Sequence, residues 1–198
     1  MAASERDADA RAAWWDETLT LPVEQLVFVD ETGTNTAMTA RSGWAPRGQR
    51  ATGHAPRNHG PNVTLVTTLA LSGLGPPMVI DGPMTTLAFE AYVAHVLVPS
   101  LQAGQIVVLD NLSAHTSQRT RKLIEAAGCT LRFLPAYSPD FNPIEWAFSK
   151  LKIWLRQAAA RTTETLDAAI AAGLDRITAE DATGWFTGCG YLGPSQSP

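Results

Sequence analysis

Apolar residues along the chain change period, and the changes mark its elements. QLVFVDE (25–31) is a short apolar run rich in β-branched and aromatic side chains, the pattern of a buried strand. NVTLVTTLALS (62–72) is the longest run of this kind; PPMVIDG (76–82), QIVVLDN (105–111) and CTLRFLP (129–135) are shorter. Between these runs the period lengthens. Phe89, Val93, Val96 and Leu97 fall at i, i+4, i+7 and i+8, a helical stripe. Thr120, Leu123, Ile124 and Ala127 stripe a second helix that Gly128 stops. Ile144, Phe148, Leu151 and Leu155 stripe a third, and Leu166, Ile170 and Ile177 a fourth, with a last short helix over TAEDATGWF (178–186). TAMTARSGWAPRGQRA (36–51) reads as a hairpin, with turn signals at SG and PRG. Three or four strands followed by alternating helices and strands predict a mixed sheet with helices on both faces.

Composition adds limits. With 198 residues, 45% hydrophobic and 17% charged, the chain fits one soluble domain large enough for a proper core. Its apolar runs are too short for a membrane span, and the expected location is the cytoplasm. Cys129 and Cys189 stand alone, without zinc-site spacing. The net charge of −4 argues against a surface that grips nucleic acid everywhere, but leaves room for basic patches beside an acidic site.

Two apolar strands end in aspartate, Asp30 and Asp110, where ligands bind in sheets of this kind. Each aspartate alone would also suit a turn or cap. Glu145 has two readings as well. Asn142 as N-cap, Pro143 at the first helical position and Glu145 at the third make a capping box. Yet Glu145, Ser149, Lys152 and Arg156 also form one polar stripe, a carboxylate followed by two cations along a helix face. Three carboxylates converging at one sheet edge would repel one another and call for cations, and hard oxygen ligands suit Mg²⁺ or Mn²⁺.

FVDETG, VVLDNLSAH and FLPAYSPDFNPIEWAFSKLK resemble the three catalytic motifs of bacterial insertion-sequence transposases in the mariner-type DDE superfamily. Residues 111–144, 34 in all, separate Asp110 from Glu145, the spacing of the branch that ends in glutamate. APRGQRATGHAPRNHG and PMVIDGPM are similar to that branch too, so the resemblance spans roughly residues 10–190. It implies an RNase H-like fold, a mixed five-stranded sheet with helices on both faces. It also implies that Asp30, Asp110 and Glu145 hold two Mg²⁺ or Mn²⁺ ions, cleave phosphodiesters and join 3′-hydroxyls to target DNA. Family members carry helix-turn-helix modules before the catalytic domain, and none fits ahead of Val27. The expectation is therefore a catalytic half: residues 1–22 a linker or helix, 23–190 the catalytic domain and 191–198 a flexible tail. Its partners would be DNA and either a second copy or a chain supplying the helix-turn-helix.

Other residues are read more simply. Glu31 should face away from Asp30 as a structural residue or hydrogen-bond partner, and Asp81 and Asp140 are turn residues. Asn111 and His115 share the second motif; His115 is either a helix cap or a residue placing phosphate or water. Arg41, Trp44, Arg47, Arg50, Arg57 and His59 make a basic stretch that reads as a DNA-contacting loop, joined by Lys150, Lys152 and Arg156 on the helix. Tyr137 and Phe141 read as loop anchors. An aspartyl phosphatase is set aside, because its second acid would stand where Thr32 does. A general RNase H-like nuclease, and a decayed remnant that only binds DNA or protein, are the alternatives.

Overall fold

The structure is a computed structural model that describes residues 6–18 and 20–192. Strands β1 (Leu26–Thr34), β2 (Val63–Ala70), β3 (Gly73–Leu74), β4 (Met78–Asp81), β5 (Ile106–Leu109) and β6 (Thr130–Phe133) form one mixed sheet. Its order is β3-β2-β1-β5-β6, with β4 also on β2. β1 runs antiparallel to β2 and parallel to β5, and β5 runs parallel to β6. The expected five strands are thus six segments in five positions, since β3 and β4 share the edge of β2 that β1 leaves free.

The helices cover both faces. On one lie α1 (Ala8–Thr18), α5 (Ile144–Ala158), α6 (Thr163–Leu174) and α7 (Ala179–Gly188), packed on Leu26, Phe28, Ile106 and Val108. On the other lie α2 (Thr86–Tyr92), α3 (Val98–Ser100) and α4 (Gln118–Ala126), against Val29, Val107 and Leu109. α2 passes into α3 through a π turn at Val93–Leu97. Pro99 explains the turn: it has no N–H for the carbonyl four residues back, and the Val98 N–H reaches Val93 instead. Alternate strand residues point to opposite faces, so the two buried sets follow from the period of two in each strand.

Three expectations are corrected. Residues 36–51 form no hairpin: β1 leads to β2 through a strandless loop over 35–62. Its turn signals lack the flanking apolar alternation that would give paired strands a face to bury. Ile177 sits in the turn before α7, not in the α6 stripe, although it is buried. Tyr191, placed in the flexible tail, is 9% exposed, with its hydroxyl donating to the Phe141 carbonyl at 2.6 Å. Residues 193–198, the rest of that tail, lie outside the described residues. No helix among the described residues is long and apolar enough to cross a membrane.

Candidate functional site

The sheet itself brings the two aspartates together. β1 and β5 pair in parallel as far as Phe28 with Val108; two residues further come Asp30 and Asp110. Neighbouring strands lie about 4.8 Å apart. Both aspartates have the parity of Phe28 and Val108, the face that α5 covers. α5 packs there through Ile144, Phe148, Leu151 and Leu155, and this sets Glu145, in its first turn, beside the two aspartates. Asp110 lies just past β5, but Asp30 does not end its strand as expected: β1 runs on to Thr34 by pairing with β2 alone. Asp30, Asp110 and Glu145 line one cavity of about 400 Å³, closed on its other side by the loop from Leu134 to Asn142.

Asp30 is the buried member, 7% exposed. Its Oδ1 accepts the Glu31 N–H at 2.8 Å and its Oδ2 accepts Asn142 Nδ2 at 2.8 Å. Burial, then the nearby charge of Asp110, pushes its carboxyl up to about 8, with Glu31 and Glu145 adding to the push and the Glu31 N–H opposing it. Asp110 Oδ1 accepts the Leu112 N–H at 3.0 Å and meets His115 Nδ1 at 2.6 Å. The other ring nitrogen of His115 meets Glu31 Oε2 at 2.8 Å, and the ring lies on Phe89, with centroids 4.1 Å apart. Burial pulls this imidazole down, but the hydrogen bonds with Asp110 and Glu31 outweigh it and push it up to about 9. Glu31 does leave the face of Asp30, as expected of the next strand residue.

The donor set fits hard divalent cations. It offers oxygens alone, and burial together with the neighbouring carboxylates holds the Asp30 carboxyl above the usual carboxylate range, a push that a bound cation would oppose. Among the described residues, Asp110 Oδ2 and the Glu145 carboxylate have no hydrogen-bond partner, and Asn142 Oδ1 is buried without one. As the side chains stand, no group of three or more His, Cys, Asp or Glu among the described residues is gathered to hold one ion. Asp110 is drawn to His115 and Asp30 to Asn142.

The start of α5 removes the capping-box reading of its first turn. The helix begins at Ile144 after Pro143, with no side chain capping it. Asn142 spends its amide on Asp30, 112 residues away, and the expected capping box is absent. Asn142 is therefore a site residue that its sequence context disguised, because Asn before Pro is also a good cap.

The basic residues divide into three groups. Arg41, Trp44, Arg47, Arg50, Arg57 and His59 lie in the 35–62 loop, where Trp44 is wholly exposed. Lys152 and Arg156 line a groove of about 360 Å³ against the start of that loop, with Arg41 across it. Arg156 and Arg41 also line a neighbouring cavity of about 530 Å³ with His54 and Arg161. Arg161, which no motif in the sequence singles out, holds the loop's first residues by donating to the Thr36 and Met38 carbonyls, each at 3.1 Å. Lys150 points elsewhere, its Nζ 2.5 Å from Asp181 of α7. His115, expected among the DNA contacts, is corrected: it is fully buried and engaged at both ring nitrogens, so DNA cannot reach it. Of the two expected anchors, Phe141 is buried, whereas Tyr137 stands 58% exposed at the cavity rim with φ +54°.

The comparisons with known proteins bear on the fold and the family. A solved pre-cleavage Mos1 transpososome shares the fold at a TM-score of 0.72 and 18% identity, over 91% of this chain and 58% of that one. The Mos1 mariner paired end complex with Mn matches at 0.72 and 18%, over 96% of this chain and 61% of that one. The Mos1 transposase catalytic domain with Raltegravir and Mn matches at 0.71 and 14%, over 96% and 90%. At such identities the likeness establishes the fold, which is RNase H-like. The chain spans 58% of the length of the transpososome protein it matches. No curated protein matches the sequence. A family model, DDE superfamily endonuclease, matches residues 25–167, well over half of the chain and including all three carboxylates. The chain belongs to the DDE superfamily endonucleases.

Proposed function

We propose that the chain is the catalytic domain of a mariner-type, insertion-sequence transposase, cutting DNA strands and joining the freed 3′ ends to a target. The observation that carries this reading is that Asp30 from the middle of β1, Asp110 just past β5 and Glu145 at the start of α5 line a single cavity. These three residues would hold two Mg²⁺ or Mn²⁺ ions. Such ions, when bound, activate a water or 3′-hydroxyl and stabilise the leaving oxygen of an in-line phosphoryl transfer.

The chain's own residues supply orientation. Asn142 and the Glu31 N–H fix the two oxygens of Asp30. His115, braced by Glu31, fixes one oxygen of Asp110 and leaves the other for ligation. Such outer partners typically matter 10- to 100-fold in metal affinity or activity. The groove of Arg41, Lys152 and Arg156 continues along α5 from Glu145 and suits a phosphate backbone, whose contacts position DNA without reading its sequence. Residues 23–190 would be the catalytic unit, working as a dimer or with a chain that supplies a helix-turn-helix module.

The test is strand cleavage of a duplex in excess, with Mg²⁺ or Mn²⁺ present. Glu145→Gln should lower the rate by more than about a hundredfold, since a ligand counts for more than its outer partners. Stability should change by no more than about 0.5 kcal/mol, because the residue is exposed and makes no hydrogen bond. Cleavage near the wild-type rate in this variant would defeat the assignment.

A further inference from the structure

The loop between β6 and α5 carries Asn142 and leads into Glu145, yet it has little backbone structure of its own. It holds one 3₁₀ turn (Pro139–Phe141), a tyrosine at positive φ, and three prolines that offer no N–H. Its first residue is tied to the sheet, where Asn111 Nδ2 donates to the Leu134 carbonyl at 2.6 Å. The middle is held by side chains from outside the family-matched stretch.

Arg11 of α1 supplies most of that hold. Its Nη1 donates to Ser138 Oγ at 2.7 Å and to Asp140 Oδ1 at 3.1 Å, and its Nη2 donates to Asp140 Oδ2 at 2.7 Å. The guanidinium also lies over the Phe141 ring, 3.8 Å from its centre. One planar side chain thereby grips three of the four residues before Asn142, using a two-pronged carboxylate pairing, a hydroxyl and an aromatic face together. Lysine offers no such fork. Arg6 shares the Asp140 carboxylate, and Tyr191 holds the Phe141 carbonyl from beneath.

We propose that Arg11 is a positioning residue for the reaction: by clamping Ser138, Asp140 and Phe141 it sets where Asn142 meets Asp30 and where Glu145 enters the cavity. The proposal rests on the function assigned above. It makes α1, outside the matched residues 25–167, a working part of the site. Arg11 does not line the cavity of the three carboxylates; its effect passes through the loop.

Three measurements on the full chain test this, using Arg11→Met, which keeps the stem and loses the fork. Amides of residues 136–142 should exchange about tenfold faster in the variant, as in a segment that opens locally, while amides of β5 keep their wild-type rates. Mn²⁺ alone, titrated against the protein, should bind several-fold more weakly. In the cleavage assay kcat should fall by about tenfold or more while KM for DNA stays within about threefold, as for lost orientation rather than lost binding. Arg11→Lys should recover less than half of each loss. Unchanged exchange over 136–142 would overturn the proposal, and so would faster exchange spread equally through β5, which is general loosening. Wild-type Mn²⁺ affinity or kcat in a variant whose loop exchanges faster would overturn it too. A wild-type protein that neither binds Mn²⁺ nor cuts DNA would refute the transposase reading instead, and the exchange arm would still decide whether Arg11 braces the loop.

Discussion

Two loops leave the carboxylate end of the sheet, and they are built in opposite ways. The one after β6 is short and strapped at every step: Asn111 at Leu134, Arg11 at Ser138 and Asp140, Tyr191 at Phe141, and Asn142 on Asp30. The one after β1 spans 35–62 and is held mainly at its two ends, by Arg161 on Thr36 and Met38 and by Asn35 on Asn62. From Ala40 to Asn62 every residue but Ala45 and Pro56 is exposed. The first loop fixes acidic groups whose chemistry depends on position. The second presents arginines to solvent, where charge matters more than exact place.

Replacing Arg41, Arg47, Arg50 and Arg57 together by alanine should weaken DNA binding, and the slope of log affinity against log salt should shrink by about one per arginine lost. Thermal stability should not move, because the loop buries almost nothing. A salt slope equal to wild type would mean that DNA follows another path.

A smaller effect separates the braced loop's site from its surroundings by pH. The Asp30 carboxyl titrates near 8 in the fold and near 4 in an unfolded chain, so the native state holds the proton more tightly. The resulting stability is fully present below about pH 4 and is lost as pH rises toward about 8. Metal-free protein should therefore melt at lower temperature at pH 8 than at pH 5, and Asp30→Asn should shrink that difference to the part that His115, itself pushed up to about 9, contributes. Adding Mg²⁺ should raise the melting temperature more at pH 8 than at pH 5. An equal rise at both would count against ligation by Asp30.

The smallest effect belongs to Trp44→Ala. A wholly exposed side chain away from any strained or capping position should change stability by less than about 0.5 kcal/mol. A larger loss would show that the long loop packs on the body in solution.

The same contrast explains what was legible in the sequence. Strands β1, β5 and β6 were readable because each contains a short apolar run, but the end of β1 was not: it continues past Asp30 to Thr34, and Asp30 neighbours Asp110 because the pairing of β1 with β5 stops at Phe28. Glu145 was readable through its spacing from Asp110 and the motif around it. Asn142 was not, since a cap and an aspartate partner call for the same residue. Arg11 was hidden for another reason: its partners lie 127 and 129 residues away, and nothing local announces them. In the 35–62 loop PRG marks a turn, closed by the Gln49 N–H on the Pro46 carbonyl at 2.9 Å, whereas SG marks none, and one turn does not make strands pair.

The most direct measurement is a Mn²⁺ titration of the 198-residue protein, in wild-type form and as Asp110→Asn, Glu145→Gln and the four-arginine loop variant. The account predicts binding to the wild type and to the loop variant alike, and loss of it in each carboxylate variant. Binding that survives both carboxylate substitutions, or that the loop variant alone abolishes, would contradict it.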